Sequence, residues 1–251
     1  MKVLSLFLLI LSMAILNACG EAPVVEEPEN TNTTTEVETA PAEPVEEEYV
    51  FPDNPPLDCP TNIISSDVIV RTTEELAELE GVTHIQGKLD MNDSTFSDLT
   101  PLECLRQING ALMLDGNDRI TTLEPLRSLR RIGSYISIWG SDNISNLDGF
   151  RNLEEIGGQV SLSSVDRLTN LEGLHQIKKL PWGLHIHACR QLESLKGLKS
   201  LEEVNDTYSI TYNDSLPDCE VHEFYYGLLT RPHPTQDVVY IGHNDMEATC
   251  E

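Results

Sequence analysis

A 24-residue period runs through the chain and limits what it can fold into. Ile85, Ile108, Ile132, Ile156, Leu180 and Val204 each open a unit; the first spacing is 23 residues and the next four are 24. Counted from each opening residue, apolar side chains return to the same places. Places five and seven hold Leu112 and Leu114, Ile136 and Ile138, Val160 and Leu162, Leu184 and Ile186, Tyr208 and Ile210. Places sixteen, nineteen and twenty-two hold Leu123, Leu126 and Leu129, then Leu147, Phe150 and Leu153, and so on up the chain. The alternating pair predicts a short strand with one buried face, and the later residues, three apart, mark further inward points. A single unit cannot bury this set, whereas stacked units cover one another. The expected fold is mainly β, a solenoid of about six 24-residue rungs.

The corners of the repeat carry their own pattern. Leu-Thr-Pro-Leu at Leu99 and Leu-Glu-Pro-Leu at Leu123 give way to Leu-Asp-Gly-Phe at Leu147, Leu-Glu-Gly-Leu at Leu171 and Leu-Lys-Gly-Leu at Leu195. Proline locks φ at a negative value, so a place shared by Pro and Gly does not require positive φ. Place ten carries Asn117, Ser141, Val165, Cys189 and Asn213, a column suited to bonding the turning backbone. Open ends of a solenoid need covers. Asp67 to Arg71 reads as a strand, and Thr72 or Thr73 caps a helix over 74–79. Pro217 starts a second helix with Val221, Phe224, Tyr225, Leu228 and Leu229 as its buried stripe, followed by a strand over 238–241. Short helices are therefore expected at both ends.

The amino terminus is of another kind. Residues 1–18 read as a secretory signal peptide, with Lys2, an apolar run and small residues. Leu16-Asn17-Ala18-Cys19 resembles the lipobox of bacterial lipoproteins, which implies cleavage before Cys19 and acyl chains, palmitate among them, on that residue. The implied location is the bacterial cell envelope, with the outer membrane as the expected anchorage. Residues 19–58 form an acidic Thr/Pro/Glu-rich tether; from 20 to 58 there are twelve acids and no Lys or Arg. The chain's formal charge of −26 excludes nucleic acid as a partner and disfavours anionic headgroups. The expected membrane contact is the lipid on Cys19.

Ile108-Asn109-Gly110-Ala111-Leu112-Met113-Leu114, Ile156-Gly157-Gly158-Gln159-Val160-Ser161-Leu162 and the Leu-Asp-Gly-Phe and Leu-Glu-Gly-Leu corners resemble the receptor L domain. That family implies a leucine-rich-repeat-like right-handed β-helix over 59–251, with repeats at 85–216 and a carboxy-terminal cap at 217–251. Pro181-Trp182 and Asn205-Asp206 depart from the Gly expected there, which loosens the corner at those rungs. In an oxidising envelope the cysteines after Cys19 are expected to pair, as Cys59 with Cys104 and Cys219 with Cys250. Cys189 is left as a buried thiol standing in for Asn.

Places four, six and eight of each strand face away from the core. Tyr135 and Trp139 fall there on one rung and His185 and His187 two rungs on; Ser161 and Ser163 lie between them, with Met113 and Asp115 beyond. Aromatic and polar groups on one exposed face suit recognition of a protein or a glycan. His185 and His187 make at most a weak metal site, so no metal or other cofactor is expected. Neither a Gly-rich phosphate loop, nor G-x-S-x-G, nor H-E-x-x-H occurs. The expectation is a non-enzymatic, lipid-anchored binding module. An envelope spacer without a ligand is the rival reading, and a metal or hydrolytic site at His185 and His187 a more distant one.

Overall fold

Backbone pairing between equivalent segments of successive repeats builds the fold. The computed structural model describes residues 58–232 and 238–246. The signal peptide, Cys19, nearly all of the tether and Cys250 lie outside the described residues. Eight parallel strands form the larger sheet: Val68–Ile69, Leu89–Asp90, Leu112–Met113, Ile136–Trp139, Gln159–Ser163, Gly183–His187, Thr207–Thr211 and Val238–Gly242. The register is that of the repeat. Ile136 pairs with Val160, Val160 with Leu184 and Leu184 with Tyr208, place five on place five throughout. The protein is thus mainly β and parallel, as the alternation indicates.

A second sheet was not visible in the sequence. Two-residue strands end on the opening residues: Ile63–Ile64, His84–Ile85, Gln107–Ile108, Arg131–Ile132 and Glu155–Ile156 pair in parallel. Each is extended by an N–H one residue on. Asn109 N–H donates to Ile85 O at 2.8 Å, Gly133 to Ile108 at 2.8 Å and Gly157 to Ile132 at 2.9 Å. The next residue in this column is Pro181, which has no N–H to give. The sheet ends at Ile156 and resumes as a separate pair, Lys179–Leu180 with Glu203–Val204. The loosened corner expected at Pro181-Trp182 is therefore an interrupted ladder. A hollow of about 500 Å³ opens there, lined by Glu154, Glu155, Ile156, Lys178, Lys179 and Pro181 among others.

The inward residues three apart are explained by 3₁₀ turns. Leu102 N–H reaches Leu99 O, Leu126 reaches Leu123 and Leu174 reaches Leu171, each at 2.8 Å. A second such bond follows in each repeat, as from Leu129 to Leu126 at 2.9 Å. Three residues per turn bring places sixteen, nineteen and twenty-two to one side, and these side chains are buried in every repeat. Place fifteen supplies a cap that sequence reading missed. Asp98, Thr122, Asn146, Asn170 and Ser194 each accept the N–H two residues on, at 2.9 to 3.1 Å. Short polar side chains are suited to this local bond.

Gly149, Gly173 and Gly197 fall within these turns, and none has a positive φ. Their requirement is space. A Cβ on Gly149 would lie 1.8 Å from Leu123 O, and one on Gly173 1.8 Å from Leu147 O. Pro101 and Pro125 occupy the same place where the corner is only half-buried.

The polar column at place ten forms as expected. Ser94 N–H and Oγ–H both donate to Asn117 Oδ1. Asn117 N–H donates to Ser141 Oγ at 3.0 Å, Cys189 N–H to Asn213 Oδ1 at 2.9 Å, and Asn213 N–H to Asn244 Oδ1 at 3.2 Å. Val165 interrupts it. Cys189 is fully buried, and burial pushes its thiol up to about 12, so it is inert.

At the amino-terminal end Thr72 is the cap of α1 (Thr73–Ala77), with a complete capping box to Glu75. This helix starts one residue earlier and ends two earlier than expected. At the other end α2 (Asp218–Gly227) buries Val221 and Tyr225, with Leu228 buried just beyond it. Leu229 corrects the expected stripe. It is 77% exposed, because the chain has left the helix and Glu203 bridges to Thr230. Cys59 and Cys104 are bonded as expected. Cys219 is also disulfide-bonded, while its expected partner Cys250 lies outside the described residues. No helix among the described residues is long and apolar enough to cross a membrane.

Candidate binding face

The outward side of the larger sheet is laid out by its register. One column runs Met113, Ser137, Ser161, His185, Ser209 and Tyr240; another runs Trp139, Ser163, His187 and Thr211. Strands about 4.8 Å apart place Trp139 and His187 roughly 9.6 Å from one another, with Ser163 on the strand between. The face is therefore two clusters parted by serines, not one continuous aromatic patch.

The first cluster is partly tied down. Tyr135 is half-buried, and its hydroxyl donates to Met113 Sδ at 3.6 Å. Ser137 Oγ–H donates to Asp115 Oδ1 at 2.7 Å. Trp139 stands clear of both at 59% exposure.

The second cluster is a line of rings. His185 and His187 stack with centroids 5.9 Å apart and planes 16° from parallel. His187 meets Tyr212 edge-on at 5.3 Å, and Tyr212 lies flat on His243 at 4.5 Å and 8°. Nδ1 of His187 shares a hydrogen bond with Thr211 Oγ1 at 3.0 Å, which fixes the ring. Burial, reinforced by the neighbouring His187, lowers the His185 pKa and keeps its imidazole neutral at pH 7. The two histidines are half-buried, so the picture of a freely solvated pair is corrected. Among the described residues no group of three or more His, Cys, Asp or Glu side chains could hold a metal ion.

Tyr212 and His243 were not picked out from the sequence. Both follow the last outward residue of a strand, at place nine, and so do Asp93, Gly116, Gly140, Ser164 and Ala188. All seven have a positive φ, between 51° and 70°. The glycines at 116 and 140 were the available signal for a left-handed position. His243 was hidden because α2 and the segment after it lengthen the last repeat, so that Tyr208 pairs with Val239, further along the chain than the regular period would place its partner.

No protein-family model matches the chain, and no curated protein matches it either.

Proposed function

We propose that this chain is a lipid-anchored envelope protein that binds a protein or glycan partner with the outward face of its larger sheet. In this reading the fold is a right-handed β-helix of the receptor L-domain type, one 24-residue coil per repeat. The in-register parallel pairing of consecutive repeats in two sheets supports the coil. The strong preference of parallel crossovers for one hand supports its handedness. Acylated Cys19 holds the protein at the membrane, and the acidic tether spaces the folded part from it.

One observation carries the binding reading. The sheet face presents exposed Trp139 and the His185 to His243 ring line on either side of hydroxyl-bearing strands. Rings with a polar edge on a rigid scaffold are the side chains that dominate recognition energetics.

Affinity capture with the full-length protein tests it. Wild type is expected to retain an envelope partner that Trp139→Ala and His187→Ala each retain about tenfold less well. Equal recovery by all three proteins removes the sheet face from the account. Recovery of no partner by wild type favours a spacer.

A further inference from the structure

Beside Tyr212 the sheet face drops into a hollow of about 320 Å³ lined by His187, Ala188, Arg190, Tyr212 and Asp214. That volume is at the small end of the range for small-molecule sites. We propose that this hollow binds one neutral pyranose ring, at the end of a glycan. The inference rests on the sheet-face reading above and names the ligand class for one part of it.

The backbone is the first argument. At place nine an L-residue carries a left-handed conformation at a cost of about 1–2 kcal/mol, and for a bulky side chain it is an outlier. Earlier repeats fill the place with Gly116, Gly140, Ser164 or Ala188. The last two place Tyr212 at φ 60° and His243 at φ 57°, ring upon ring. The fold thus tolerates strain to put two rings where small residues serve elsewhere, and strain of this kind collects at ligand sites. The stack also holds Tyr212 still before any ligand arrives, which reduces the ordering cost of binding.

The chemistry of the lining is the second argument. The negative face of an aromatic ring attracts the C–H face of a sugar. At the rim, Arg190 lies between Asp166 at 3.4 Å and Asp214 at 3.9 Å, and its side chain is 63% exposed. Both ion pairs are long and open to water, so the guanidinium N–H groups and the Asp214 oxygens remain able to reach adjacent hydroxyls. A fully apolar ligand would leave this rim unpaired. An anion would meet two carboxylates for one cation, and a metal ion lacks a third ligand among the described residues. A neutral polyol with a C–H face satisfies both walls.

Saturation-transfer NMR and titration calorimetry of the full chain with maltotetraose, cellotetraose and tetra-N-acetylchitotetraose provide the test. At least one probe is expected to bind wild type, and Tyr212→Gly is expected to weaken it about tenfold or more. Because glycine accepts the left-handed backbone of this position freely, the same variant is expected to melt no lower than wild type, which separates loss of binding from loss of fold. The inference is overturned if none of the three probes binds wild type, or if Tyr212→Gly leaves binding intact. If probes fail while partner capture still depends on Trp139, the sugar site falls and the sheet-face reading stands. If a probe binds through Tyr212 while capture ignores Trp139 and His187, the broader reading falls and the sugar site stands.

Discussion

Gly173→Ala is expected to destabilise the protein by about 3 kcal/mol, at the upper end of ordinary overpacking costs. The added methyl would sit 1.8 Å from Leu147 O and 2.4 Å from its carbonyl carbon. Both are backbone atoms of the preceding repeat, fixed by the bond that Phe150 N–H makes to Leu147 O at 2.8 Å. Relief requires the two repeats to part, which strips contacts from the buried Leu171 and Leu174. In a domain of this size the loss amounts to a melting point roughly 10 °C lower. Gly227→Ala is the control. Nothing lies within 4 Å of a Cβ there, so its stability change is expected to stay under about 1 kcal/mol. Urea unfolding of the two variants checks the contrast, and equal small effects would mean that adjacent corners do not touch.

Glu124→Ala is expected to cost about 3 kcal/mol by a different route. Arg151 donates to both oxygens of Glu124, at 2.6 and 2.9 Å, from a side chain only 7% exposed. Removing the carboxylate leaves a guanidinium largely out of water, and breaking such a pair costs about 3–5 kcal/mol. Glu124 itself is 29% exposed, which places the effect at the lower end. Replacing both partners by leucine removes the buried charge together with its counter-charge, so the double variant is expected within about 1 kcal/mol of wild type. Denaturant titration of the single and double variants gives the coupling directly. A single-variant cost under about 1 kcal/mol would show the pair to be solvated.

What the sequence made legible is the part of the fold governed by periodicity. Alternation at Ile136 and Ile138 or Val160 and Leu162 located the larger sheet, because every second residue of a half-buried strand must be apolar. The place-ten column was legible because only a few side chains can serve a buried turning backbone. The smaller sheet was not, since strands such as Gln107–Ile108 contain one buried residue each and leave no alternation to detect. Its interruption at Pro181 is a lost N–H, which no hydrophobicity pattern records. At the candidate face, Trp139, His185 and His187 followed from strand alternation. Tyr212 and His243 did not, because a left-handed position is marked by glycine in the sequence and these two are exceptions to that mark.

Distances along the larger sheet test the coil most directly. Ile69 is paired outward of Asp90, Met113, Ser137, Ser161, His185, Ser209 and finally Tyr240, seven strand steps away. Ile69 and Tyr240 are 57% and 62% exposed, so both accept a spin label, and the buried Cys189 thiol does not compete for it. At about 4.8 Å per step, pulsed-dipolar spectroscopy is expected to find roughly 34 Å between labels at Ile69→Cys and Tyr240→Cys, and roughly 19 Å when the second label moves to Ser161→Cys. Two similar distances, or an end-to-end distance shorter than the one to position 161, would mean that the repeats fold back on one another instead of advancing one strand at a time.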